Sequence, residues 1–168
     1  NRGGIVWHTQ GSGKSLTMVW LSKWILENNP NARVLIVTDR EELDEQIEKN
    51  YKGVDEQIIR TKSGKDLLEK LDSFENRLIC SLVHKFGKRG SDSSETDYEK
   101  YIEDIQNSLP NNFSAKGDIV VFVDECHRTQ SGKLHEAKKV ILPKAIFVGF
   151  TGTPLLKKDK KTSLETFG

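Results

Sequence analysis

The stretch that most constrains the fold is Gly4-Ile5-Val6-Trp7-His8-Thr9-Gln10-Gly11-Ser12-Gly13-Lys14-Ser15. Its apolar start reads as a buried strand. It breaks into a loop with two glycines and continues as Leu16 to Leu26, which has helical periodicity. Strand, glycine-containing loop, Gly-Lys-Ser and helix, in that order, make a phosphate-binding loop. Gly11 and Gly13 lack a Cβ, so the backbone there can approach phosphate oxygens. The loop N–H groups form an anion nest at the positive end of the helix dipole. Lys14 supplies a point charge for the β- and γ-phosphates, and Ser15 a hydroxyl ligand for Mg²⁺. Nucleotide contacts are therefore expected from His8, Thr9, Gln10, Gly11, Ser12, Gly13, Lys14 and Ser15. The strict pattern has Gly where this chain has His8.

Composition bounds the rest. At 168 residues, 35% hydrophobic and 30% charged, the chain is one soluble globular domain or part of one, with enough length to bury a core. A net charge of +1 gives no global basic field, so any nucleic-acid contact must be local. Cys80 and Cys126 lie in or beside apolar runs without metal-ligand spacing, which fits reduced thiols in the cytoplasm. No apolar run approaches membrane-spanning length, and Asn1-Arg2-Gly3-Gly4 is no signal peptide. The first motif begins close to Asn1 and the chain stops at Gly168 without a closing element, so a fragment of a larger protein is expected.

In chain order, Leu16, Val19, Trp20, Lys23, Trp24 and Leu26 predict a helix with an apolar stripe, ended by Asn28-Asn29-Pro30-Asn31. Packing is favoured over base stacking for its tryptophans. Arg33 to Thr38 is a continuous apolar strand of the kind found in parallel sheets covered on both faces. Asp39 follows, as a cap for a helix over Glu41 to Asn50 or as a ligand contact beside Arg40; spacing favours the cap. A short strand over Gln57 to Arg60, a helix over Ser63 to Leu71 capped by Ser63, and a strand over Arg77 to Val83 come next. Residues 87–118 read as a surface insertion with one amphipathic helix, marked by Tyr98, Tyr101, Ile102, Ile105 and Leu109. Asp118 to Val123 is a strand, Ser131 to Val140 a helix, and Ala145 to Phe150 a last buried strand. The basic run Lys157 to Lys161 reads as solvated. Apolar strands alternating with helices predict a doubly wound, parallel α/β sheet.

Asp118-Ile119-Val120-Val121-Phe122-Val123 delivers two carboxylates, Asp124 and Glu125, at its C-terminal end. Burying both costs several kcal/mol unless a cation compensates. The Mg²⁺ of a bound nucleotide is such a cation. Asp124 would hold it, and Glu125 would orient and deprotonate the attacking water. Capping of the next helix is the structural alternative for this acid pair.

With these motifs in view, the chain resembles a known family. Asp124-Glu125-Cys126-His127 resembles a DEAD/DEAH-type box, and Gly149-Phe150-Thr151-Gly152-Thr153-Pro154 the third motif of superfamily 2 helicases. More narrowly, Trp7 to Ser15, Asp124 to Gly132 and Gly152 to Leu156 resemble the R (HsdR) subunit of type I restriction enzymes; His8 agrees with that family's loop. The resemblance implies a RecA-like, three-layer αβα sandwich (a P-loop NTPase) with a mainly parallel central sheet. It implies the ATP-driven motor domain of a double-stranded DNA translocase, with ATP and Mg²⁺ as cofactors. Catalytic roles fall to Lys14, Asp124 and Glu125, and metal binding to Ser15 and Asp124. His127, Thr151, Gly152 and Thr153 would couple nucleotide state to DNA, while Asp39, Arg40, Ser81 and Lys85 would lie on the DNA side. An ordinary core or surface role for His127 stays open. Methylation and specificity subunits are the implied partners, in a bacterial or archaeal cytoplasm, and the full-length protein would also cleave DNA. The competing expectations are a superfamily 2 RNA or repair helicase and a nucleotide- or DNA-binding module without turnover. Without a second RecA-like domain and its arginine, the isolated chain is expected to bind Mg·ATP weakly and to turn over little.

Overall fold

In the computed structural model, the described residues are 3–9, 11–39, 45–46, 48–49, 57–83, 94–126 and 139–153. Six strands, β1 (Gly4–Trp7), β2 (Ala32–Thr38), β3 (Ile58–Arg60), β4 (Leu78–Leu82), β5 (Asp118–Val123) and β6 (Ile146–Thr151), form one sheet in the order β1-β6-β5-β2-β4-β3. Every pairing is parallel. All strands therefore end at one edge, where open α/β sheets bind ligands. Among the described residues, three helices have both ends bounded: α1 (Lys14–Asn28), α2 (Gly64–Asp72) and α3 (Ser94–Asn107).

Period-2 alternation sorts the strand residues into two cores. Val34 and Ile36 of β2, Leu78 and Cys80 of β4, and Val120 and Phe122 of β5 face α1, packing on its Met18, Val19 and Leu26. Leu35, Val37, Ile79, Val121 and Val123 face the other way, onto Leu67, Leu68 and Leu71 of α2 and Tyr98, Tyr101, Ile102 and Ile105 of α3. Helices thus cover both faces, as the continuous apolar strands predict. Ser63 caps α2 as expected, its hydroxyl accepting from Asp66 N at 3.1 Å.

Three expectations are corrected. The helix expected in a surface insertion over 87–118 instead supplies four buried side chains to the main core. Its stripe was legible, but periodicity does not say where a stripe docks. On α1 the buried arc is Met18, Val19, Ser22 and Leu26, while Trp20 and Trp24 are 64% and 59% exposed. A polar residue can take the buried position because Ser22 Oγ donates to Val19 O at 2.8 Å, satisfying itself. Third, β1 is half-buried, because it forms an edge of the sheet.

The helix expected over Ser131 to Val140 and the basic run Lys157 to Lys161 lie outside the described residues, apart from the end of that helix at 139–140. Over 41–50, the described residues 45–46 and 48–49 are helical. No described helix is long and apolar enough to cross a membrane.

Candidate nucleotide site

The loop after β1 is fixed from two sides. His8 N donates to Thr151 O at 3.0 Å, tying the loop to the end of β6, and Ser12 N donates to Thr9 O at 3.1 Å. The Ser12 hydroxyl also donates to Thr9 O, so the hydrogen bond it shares with His8 Nδ1 has the imidazole as donor. The side chain that departs from the strict loop pattern is thus a brace across the loop. Gly11 and Gly13 have φ of 77° and 89°, and a Cβ at either would meet nothing within 4 Å. Conformation, not space, calls for glycine at these two positions. Gly13 caps α1 with no side-chain partner, and the first turn of α1 holds no acid. That leaves the positive end of its dipole suited to an anion.

The strand order brings the second motif to this loop. β6 alone separates β1 from β5, so Lys14 at the start of α1 reaches across it. Lys14 Nζ lies 3.0 Å from Asp124 Oδ1 and also bonds Glu125 Oε1, though 111 positions separate Lys14 from Glu125. Asp124 and Glu125 are 1% and 3% exposed, and the Lys14 side chain 11%. Asp124 is held on every side. Thr38 Oγ1 donates to its Oδ2 at 3.1 Å, its N–H donates to Val37 O at 2.9 Å, and its carbonyl accepts from Tyr98 Oη at 2.9 Å. Glu125 has φ of +49°, a left-handed conformation that costs a residue with a side chain about 1–2 kcal/mol. Such backbones persist where their surroundings over-determine them, and they cluster at working sites.

One ammonium between two buried carboxylates leaves a formal charge of −1 on this cluster. That donor set fits a small divalent cation, and Ser15, half-buried in the first turn of α1, is the third group expected near it. The described residues hold no set of three or more acids, histidines or cysteines able to cage a metal. Mg²⁺ does not require one, since it takes one or two carboxylates and fills its shell with water and phosphate oxygens. The thiol of Cys126 is pushed up to about 12, first by burial and then by the Glu125 and Asp124 carboxylates.

Thr151 is buried at the end of β6, and its hydroxyl accepts from Thr153 N at 3.2 Å; Gly152 is half-buried and Thr153 exposed. Asp39 is half-buried at the same edge, directly after β2. Ser81, expected on the DNA side, lies inside the fold, bonded by Thr61 Oγ1 at 2.8 Å and by Tyr101. As a β4 residue with the parity of Ile79, it faces the α3 core. Gln10, Arg40, Lys85 and His127 fall outside the described residues. Sequence reasoning missed Thr38 and Tyr98. A polar residue closing an apolar strand was the available sign for Thr38; Tyr98 gave only a core signal.

The comparisons with known proteins agree with this geometry. A family model described as SWI2/SNF2 ATPase matches residues 1–168. The chain is 33% identical over 163 residues to a putative type I restriction enzyme endonuclease subunit (MjaIXP) of Methanocaldococcus jannaschii, covering 96% of this chain and 14% of that protein. It is 32% identical to the type I restriction enzyme HindI endonuclease subunit of Haemophilus influenzae, covering 98% of this chain and 16% of the other. The chain therefore spans well under two thirds of these curated relatives. Among solved structures, the SWI2/SNF2 ATPase core of Sulfolobus solfataricus in complex with double-stranded DNA has a TM-score of 0.64 at 17% identity, covering 99% of this chain and 31% of that one. A nuclease-deletion mutant of the type ISP restriction-modification enzyme LlaGI has a TM-score of 0.51 at 14% identity, covering 94% and 16%. Both likenesses are of fold. With a family model matched from end to end over a glycine loop and a paired-acid strand that meet at one sheet edge, the chain belongs to the SWI2/SNF2 ATPase family.

Proposed function

We propose that this chain is the motor domain of the restriction subunit of a type I restriction enzyme, and that ATP hydrolysis in it moves double-stranded DNA. One observation carries the reading: Lys14, Asp124 and Glu125 share a single buried cluster beside the glycine loop. The names of the relatives support the restriction assignment. The DNA in the complex of the Sulfolobus homologue supports a duplex as the track.

In this reading the loop N–H groups from Gly11 to Ser15 receive the phosphates. The Lys14 ammonium leaves the two acids for the β- and γ-phosphate oxygens. The Ser15 hydroxyl and Asp124 would hold a Mg²⁺ ion, which when bound would supply charge stabilisation for the transferring phosphoryl group. Glu125, released from Lys14, orients the attacking water and accepts its proton. Thr38 keeps the Asp124 carboxylate aimed while this exchange takes place. Thr151, Gly152 and Thr153, tied to the loop through the His8–Thr151 bond, carry the change of nucleotide state outward, with His127. Asp39, Arg40 and Lys85 are the residues assigned to contact with the duplex, whose phosphate backbone makes binding independent of sequence and sensitive to salt. Methylation and specificity subunits complete the assembly, in a prokaryotic cytoplasm.

Glu125→Gln in the full-length protein tests this. Nucleotide binding persists, while DNA-stimulated hydrolysis and translocation are lost. Turnover at the wild-type rate would remove Glu125 from the water-activating role and the motor mechanism with it.

A further inference from the structure

Helix α3 does more than fill the core. Tyr98, wholly buried on it, donates its hydroxyl proton to the carbonyl of Asp124 at 2.9 Å. That carbonyl belongs to the peptide unit joining Asp124 to Glu125, the same unit whose rotation sets the Glu125 φ of +49°. The preceding peptide is already fixed, because Asp124 N donates to Val37 O of β2. The Tyr98 hydroxyl therefore holds a peptide plane that lies just beyond the last residue of β5. Rotation of that plane would swing the Glu125 carboxylate relative to Asp124 and Lys14. A phenol is well suited to the task. Its ring is buried in the same core as Tyr101, Ile102 and Val123, so its hydroxyl reaches the strand end from inside the fold.

Tyr101 provides an internal comparison. It lies one turn further along α3 in the same core, also buried, but its hydroxyl bonds Ser81 of β4. The two tyrosines are alike in packing and differ in what their hydroxyls hold.

We propose that Tyr98 is a positioning residue for ATP hydrolysis: its hydroxyl sets the Asp124–Glu125 peptide and so aims the Glu125 carboxylate. This rests on the assignment of Glu125 as the hydrolytic acid. The loss falls on the chemical step, because the hydroxyl acts on the peptide that carries Glu125, while the glycine loop that receives the phosphates is tied separately to the end of β6.

The experiment compares Tyr98→Phe, Tyr101→Phe and Glu125→Gln in the full-length protein by DNA-stimulated ATP turnover and thermal denaturation. Tyr98→Phe lowers kcat roughly tenfold, the size expected when one buried hydrogen bond stops holding a reacting group, with KM for ATP unchanged within about twofold. Tyr101→Phe lowers the melting temperature about as much and keeps kcat within about twofold of wild type. Wild-type kcat in Tyr98→Phe overturns the inference, as does an equal loss in Tyr101→Phe, which would mark general loosening of the core. If Glu125→Gln retains turnover, the hydrolytic assignment itself has failed. If Glu125→Gln is inactive while Tyr98→Phe matches wild type, only the role of Tyr98 has failed.

Discussion

Replacing Lys14 by methionine isolates the electrostatic claim, because methionine keeps much of the stem's volume and removes only the charge. The wild-type cluster places a single ammonium between two carboxylates that are almost wholly buried. Removing one partner of a buried ion pair costs about 3–5 kcal/mol, since it leaves charge in a medium that solvates it poorly. Here two acids lose their common partner, so the upper part of that range applies. Against a denaturant slope of about 2 kcal/mol per molar urea for a small domain, the midpoint falls by roughly 2 M. Far-UV circular dichroism is the proper probe; Trp7, Trp20 and Trp24 are exposed and report little on the core. The accompanying variants fix the sign. Glu125→Gln alone leaves one lysine facing one carboxylate, and its midpoint stays level or rises. Combined with Lys14→Met, it recovers at least about half of the loss, a non-additivity expected of groups in direct contact. A midpoint for Lys14→Met within about 0.3 M of wild type, at equal slope, would refute the picture of two buried acids sharing one cation.

Other perturbations probe the scaffold that holds the site. Arg33 is buried, with its guanidinium donating to the carbonyls of Asn76, Leu71, Lys116 and Lys70. Arg33→Met strands these acceptors and lowers stability by about 3 kcal/mol or more, while Arg33→Lys, lacking the planar fork, recovers less than about half; urea titration checks both. Gly64→Ala puts a Cβ 2.8 Å from Ile105 N and 2.9 Å from Asp104 C, backbone atoms of α3 that cannot yield cheaply. The cost is about 1–3 kcal/mol, read as a lower melting temperature. Burial pushes the Cys126 thiol up to about 12, and Cys80 is equally enclosed, so neither reacts with a thiol reagent at neutral pH until the chain is unfolded. Rapid labelling of the folded protein would contradict that burial.

The amino-acid order determined by itself the elements whose physics is local. The glycine loop, the helix that follows it, the Ser63 cap and the apolar strands ending in acids are matters of conformation and period, and they lie within a few residues of where the pattern put them. The pairing of the loop with Asp124 and Glu125 was also inferable, because two acids at the end of a buried strand require a cation and the loop announces one. Tertiary structure alone decided which arc of α1 meets the sheet. It also drew the helix of an apparent surface excursion into the main core, and it aimed the hydroxyl of Tyr98 at the peptide that sets Glu125. Periodicity records that a face is apolar, but not what will cover it. A hydrogen bond spanning 26 positions leaves no trace in local composition. The charges of this site could be read in one dimension; the peptide that aims them is set by contacts that exist only in three.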